Sequence, residues 1–312
     1  MRAFVFPGQG AQSIGMGQAL AAAYPSARAV FEAVNDALCE DLSALVWTGN
    51  IEDLTLTRNA QPALMATSLA AMRALESEGV SINDAAYVAG HSLGEYSALC
   101  AAGALTVPDT TRLLRIRGEA MQAAVPVGIG AMAALLGLDL AAAQSVAEQA
   151  AQGEVCQAAN DNDPAQVVIS GHRGAVERAL EIAKLRGARR AILLPVSAPF
   201  HSSLMESAAA VMARALAEVE MQSPAVPLVA NVLAEAVQDA KAICSLLVDQ
   251  VTGSVRWRES VLWMAEQGVT EIWEIGAGKA LSGMVRRIAP NMTCRAVGTP
   301  EDVAAAVAAL RA

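Results

Sequence analysis

A serine with glycines two positions to either side, Gly90-His91-Ser92-Leu93-Gly94, is the stretch of this chain best suited to covalent chemistry. On a tight strand-to-helix turn such a serine is held in a strained backbone conformation with its hydroxyl exposed, and the glycines let the flanking backbones pass closely. The amide of Leu93, first in the expected helix, would then point to where an oxyanion forms, and the helix dipole adds to it. A serine nucleophile needs a general base, and the chain has three histidines. His91 adjoins Ser92, so its side chain projects away from the serine's. His172 falls in a strand-to-helix turn, where capping or solvation accounts for it. His201 remains, in the proline-stiffened loop Ser197-Ala198-Pro199-Phe200-His201-Ser202. No Asp or Glu stands out as the group that orients the imidazole, a role a main-chain carbonyl can fill.

A second chemical feature is a misplaced charge. A helix expected from Pro108 to about Ala124 carries its apolar stripe through Leu113, Leu114 and Met121, and Arg117 falls on that stripe. A buried arginine must be paired, either with a protein carboxylate or with an anionic ligand.

The elements that must hold these groups alternate between strand and helix. A strand from Ala3 to Phe6 ends in the loop Pro7-Gly8-Gln9-Gly10-Ala11-Gln12, which lacks a dinucleotide fingerprint because Ser13 stands where the third glycine belongs. Helical patterns follow, one broken at Pro25 and another opening near Gln61-Pro62. A strand at Ala85–Ala89 precedes the serine turn, and the helix after it stops at Gly103. From Val127 the pattern changes to strand Ala131–Leu136, helix Leu140–Ala151, strand Val155–Ala159, turn Asp161–Pro164, strand Gln166–Ser170, helix Gly174–Arg186 and strand Arg190–Leu194. That β-α-β-β-α-β order is ferredoxin-like. Residues 127–195 are therefore expected as an inserted small domain, and 1–126 with 196–312 as the main domain. His201 lies where the chain re-enters the main domain, at a border where clefts commonly form. Further on, a strand is expected near Pro227–Val232, helices around Ala240–Val251 and Arg256–Gln267, a strand at Glu271–Ile275, and a helix after Gly276-Ala277-Gly278. Lys279 there lacks the spacing and the following Ser/Thr of a phosphate-binding loop.

Composition narrows the function. A net charge of −9 argues against nucleic acid as a partner. The basic residues nevertheless cluster, as Lys184, Arg186, Arg189 and Arg190 and as Lys279, Arg286 and Arg287, either as solvated faces or as patches for an acidic protein. The five cysteines are dispersed without C-x-x-C spacing, so neither a disulfide framework nor a zinc site is expected. The amino-terminal apolar run is too short for a signal segment and no apolar stretch is long enough to span a bilayer. The expectation is a cytoplasmic protein with an α/β fold.

Taken together, these residues resemble the malonyl-CoA:acyl-carrier-protein transacylases of fatty acid synthesis over the whole chain. The carriers are Phe6-Pro7-Gly8-Gln9-Gly10, Gly90-His91-Ser92-Leu93-Gly94-Glu95, Arg117 within Arg115-Ile116-Arg117-Gly118, Asn160 and Asn162 before Pro164, Pro199-Phe200-His201-Ser202, and the segment around Gln250. The chain departs from the family at Leu247–Ser254, where an Asn-Pro more usually follows the glutamine segment. The resemblance implies an α/β-hydrolase-like parallel-sheet core carrying the ferredoxin-like insertion. It implies a Ser92–His201 dyad with the main-chain carbonyl of Gln250 orienting the imidazole, an oxyanion hole from the amides of Gln9 and Leu93, and Arg117 on the malonyl carboxylate. It assigns no role to Asn160 or Asn162.

The expected reaction moves malonyl from malonyl-CoA to the phosphopantetheine thiol of acyl carrier protein through a malonyl-serine. No cofactor or metal is expected, since coenzyme A belongs to the substrate and phosphopantetheine to the partner; the chain is expected to act as a monomer. Phe200 beside His201 resembles malonyl-selective members. Two rivals share parts of this pattern: a serine thioesterase or hydrolase on acyl-CoA, and a non-catalytic docking module for carrier protein.

Overall fold

The protein is described by a computed structural model covering residues 1–196 and 198–311. Ser197, in the loop expected before His201, and Ala312 lie outside the described residues. Two sheets organise the chain. The larger is built on β1 (Arg2–Phe6) and β2 (Tyr87–Gly90), both buried except at their first residues, as expected of strands with helices on both faces. The smaller contains β3 (Gly130–Leu136), β4 (Cys156–Asp163), β5 (Gln166–His172) and β6 (Arg190–Leu193). The chain then returns to the larger sheet as β7 (Leu228–Val229), β8 (Ala236–Val237), β9 (Glu271–Ile275) and β10 (Thr293–Val297).

In the larger sheet the order is β10-β9-β1-β2-β7-β8, parallel except for the short β7–β8 pair. Pairing of Phe6 with Gly90 brings the loops after β1 and β2 out side by side at the carboxyl edge. Ligands of open α/β sheets bind at that edge. The smaller sheet is antiparallel with order β4-β5-β3-β6, and the helices Leu140–Ala151 and Arg173–Leu185 pack on it over an apolar cluster that includes Leu135, Val146, Ile169 and Val176. This is the strand order of the expected ferredoxin-like unit. The fold is thus α/β, with a parallel-sheet core and a smaller antiparallel sheet.

Two expectations change. Pro62 does not open a helix; it lies inside the helix Thr57–Ser77, which is buried along most of its length. Proline there removes only the hydrogen bond to the Arg58 carbonyl in the first turns, and burial of the apolar run carries the helix through it. The expected turn at Asp161–Pro164 is strand, since β4 runs on to Asp163. Its polar residues are met from the larger sheet's side. Asp161 accepts from Arg258 at 2.9 Å, Asp163 from Arg287 at 2.7 Å, and the main chain of Ala159 and Asp161 bridges to Val255. The two basic clusters lie at the surface, with Lys184 tied to Glu181, Arg186 to Ser145 and Gln149, and Arg287 to Asp163.

All five cysteines are free thiols, and among the described residues no group of three metal-ligating side chains comes together. No described helix is long and apolar enough to cross a membrane.

Candidate active site

Ser92 sits on the turn between β2 and the helix Gly94–Ala101 with φ 54°, the left-handed strain the glycine pattern implied. The glycines are sterically required. A Cβ on Gly90 would lie 1.9 Å from the Gly94 carbonyl carbon, and one on Gly94 would lie 2.2 Å from the Phe6 carbonyl oxygen. Asn231, after β7, clasps the turn: its Oδ1 accepts from the Ser92 amide at 2.8 Å and its Nδ2 donates to the Gly90 carbonyl at 2.6 Å.

His201 is 4% exposed and also has a left-handed backbone, φ 56°. Its Nε2 is 2.8 Å from Ser92 Oγ. Its Nδ1 faces the carbonyls of Gln250 at 2.8 Å and Gly253 at 3.2 Å, so the proton belongs on Nδ1 and Nε2 is free to accept from the serine. Burial first, and the positive charge of Arg117 second, hold the imidazole down at about 3. His201 is therefore a neutral base across the physiological range.

Arg117 is buried, as its stripe required, but among the described residues no carboxylate touches it. Nη1 donates to Gln61 Oε1 at 2.9 Å, and Nη2 donates to Gln250 Oε1 at 2.8 Å and to Ser92 Oγ at 3.0 Å. Its Nε has no partner, and its guanidinium carbon lies 5.7 Å from the centre of the Tyr96 ring. Gly118 makes this placement possible, because a Cβ there would come within 2.7 Å of the backbone at Thr57 and Arg58. The two helices therefore approach closely enough for Gln61 to reach the arginine.

A cavity of about 300 Å³ opens onto Ser92, His201 and Arg117. Gln9 and Leu93 line it, as do Met132, Asn160 and Phe200. Gln9 is braced through Thr57 Oγ1, at 2.9 Å from its Oε1, which in turn accepts from Gln61 at 3.0 Å. The structure thus gathers five of the six expected site residues, Gln9, Ser92, Leu93, Arg117 and His201, at one cavity, with the sixth, Gln250, beneath it. His91 points away as expected, its Nε2 2.9 Å from Asn162 Oδ1. His172 caps no helix with its side chain; its Nδ1 instead accepts from the Val155 amide at 2.9 Å.

Three polar groups of the site were given no role from the sequence. Gln61 and Asn231 carried no signal beyond being polar residues in otherwise apolar surroundings. Glu95 followed the serine motif on a helix that is buried all round, and an acid in such a helix is itself a signal.

An activated serine, a neutral base and a buried cation hydrogen-bonded to neutral groups, all facing one cavity, define a site for acyl transfer involving an anionic acyl group. The acyl transferase domain family matches residues 3–306, and the chain belongs to that family. It is 46% identical over 305 residues to the malonyl CoA-acyl carrier protein transacylase of Escherichia coli K12, covering 98% of each chain. It is 44% identical over 310 residues to the enzyme of that name from Bacillus subtilis 168, covering 99% of this chain and 97% of the relative. Among solved structures, the acyl-carrier-protein S-malonyltransferase of Bartonella henselae superposes with a TM-score of 0.98 at 54% identity, over 100% of this chain and 99% of that one. A type II PKS acyl-carrier protein in complex with its malonyl-transacylase gives 0.96 at 42% identity, with 99% of each chain covered.

Proposed function

We propose that this chain is a malonyl-CoA:acyl-carrier-protein transacylase working by ping-pong transfer. The observation that carries the reading is the pairing of Ser92 with a neutral His201 at 2.8 Å beside Arg117, a buried cation that no carboxylate touches among the described residues. Ser92 Oγ attacks the malonyl thioester as its proton passes to His201 Nε2. The amides of Gln9 and Leu93 take the oxyanion, and the His201 proton leaves with the coenzyme A sulfur. The phosphopantetheine thiol then attacks the malonyl-serine ester by the reverse route. Arg117 grips the malonyl carboxylate with its planar fork, which a lysine cannot reproduce.

The reading takes residues 1–126 and 196–312 as the catalytic unit and 127–195 as an insertion, a division supported by the separate apolar cluster of the smaller sheet. It takes the protein as a cytoplasmic monomer with no cofactor of its own. None of the four relatives named above is called a hydrolase, and no feature of the site favours that rival. The test is intact mass after exposure to malonyl-CoA, with and without carrier protein. The expected result is a malonyl adduct that persists alone, moves to the carrier when it is added, and is missing in Ser92→Ala. An adduct that decays to free malonate without carrier would identify a hydrolase instead.

A further inference from the structure

Beneath Ser92 lies a buried acid that the acyl-transfer steps above do not use. Glu95 is 1% exposed. Its carboxylate accepts from Gln250 Nε2 at 2.5 Å and, more loosely, from the Asn231 amide at 3.4 Å. The same Gln250 Nε2 donates to the Ser92 carbonyl at 3.0 Å, and Gln250 Oε1 accepts from Arg117. One amide therefore stands between the carboxylate and the guanidinium. Its direction is fixed, because every neighbour on the Nε2 side is an acceptor and the neighbour on the Oε1 side is a donor.

The groups around Glu95 come from four directions. Arg117 lies on the helix Val107–Ala123, Gln250 on the helix Ala240–Thr252, Asn231 follows β7, and Tyr96, with its phenol buried and held neutral, is next to it on its own helix. His201 stands beyond Gln250 and is neutral. Arg117 is the one cation acting on Glu95 among the described residues. In the empty site, carboxylate and guanidinium balance each other across the amide. A direct ion pair would balance them better, but it would occupy the fork that the substrate must use.

Loading malonyl changes that balance. A second carboxylate arrives at Arg117, so two acids share one cation in a pocket sheltered from water, where like charges disfavour joint ionisation. The malonyl carboxylate contacts the fork directly, whereas Glu95 meets the cation only across Gln250, so Glu95 is the acid that yields. We propose that Glu95 takes up a proton from solvent when malonyl is loaded onto Ser92 and returns it when malonyl leaves for the carrier thiol. The acyl transfer is itself proton-neutral, since the serine proton departs on the coenzyme A sulfur; the Glu95 proton comes from and returns to bulk water. Burial already holds this acid at about 7 in the empty site, so a small push suffices. The consequence is a partial exchange of charge: near pH 7 the site admits an anion while gaining less than its full negative charge.

This inference rests on the malonyl reading, and its test separates the two. Wild-type enzyme in a weakly buffered solution near pH 7 with a pH indicator is mixed rapidly with malonyl-CoA or acetyl-CoA, and the adduct is weighed in parallel. The expected result is net proton uptake on malonyl loading, of less than one proton per malonyl group because the acid is partly protonated beforehand. No uptake is expected with acetyl-CoA, nor with malonyl-CoA in Glu95→Gln. A malonyl adduct formed without uptake, or equal uptake with acetyl-CoA, overturns the inference and leaves the transacylase intact. Absence of any malonyl adduct overturns the underlying function. Should Glu95→Gln not fold, the infrared difference spectrum of the wild type on loading decides the matter. A new protonated-carboxyl band that follows malonyl but not acetyl is expected, and its absence overturns the inference.

Discussion

Arg117 and His201 each carry a charge state imposed by burial, and each state has a measurable consequence. Arg117→Ala removes the guanidinium fork from the cavity, so malonyl-enzyme formation should fall by about 100-fold or more, the worth of two charge-assisted hydrogen bonds. Acetyl loading should be spared in the same variant, and single-turnover rates with the two thioesters check this; equal loss of both would exclude the carboxylate grip. For His201, the folded protein binds fewer protons than the unfolded chain between pH 6.5 and about 3. Its neutral form therefore contributes stability above pH 6.5 that is lost as pH falls through that window. His201→Asn lacks this liability, so its urea midpoint relative to wild type should rise steadily as the pH is lowered below 6.5. The rate of acetyl loading by wild type should show no inflection at 6.5, since its base does not titrate there.

The serine turn was legible in the sequence because its causes are local: two glycines, a short apolar strand before and a helix stopped by Gly103 after. Arg117 was legible as a charge on an apolar stripe, although its partners were not. Gln61, Asn231 and Glu95 gain their meaning from strands and helices far off in the chain, and β7, which delivers Asn231, is only two residues long. The run Asp161–Pro164 looked like a turn because the arginines that satisfy its acids come 97 and 124 residues later. Packing of the turn against β1 can be tested directly. In Gly94→Ala the new methyl meets the Phe6 carbonyl, so the turn must move away from β1, with an expected loss of about 1–3 kcal/mol. Thermal unfolding and the acylation burst should both report it, the burst more severely, because the Leu93 amide moves with the turn.

For the molecule as a whole, the polar part of the join between the two sheets runs through β4, beside apolar contacts from Met132 and Ala134 on β3 and Val168 on β5. Asp161 is 1% exposed in its side chain and depends on Arg258, which is 26% exposed. Arg258→Ala leaves a buried carboxylate unpaired, and the expected cost is about 2 kcal/mol, below that of a fully buried pair because one partner is partly hydrated. A lowered midpoint in chemical denaturation checks this, and an unchanged midpoint would show that the buried Asp161 does not depend on the pair. The cavity straddles the same boundary. Ser92, Arg117 and Gln250 belong to the larger sheet and its helices, while Met132 on β3 and Asn160 on β4 belong to the smaller. The reacting groups and the wall facing them are thus inherited from separate layers. Substitution at Met132 or Asn160 can reshape the space offered to the acyl chain while the nucleophile, base and arginine keep their scaffold, so the size of the transferred group is free to diverge under selection or redesign without rebuilding the chemistry.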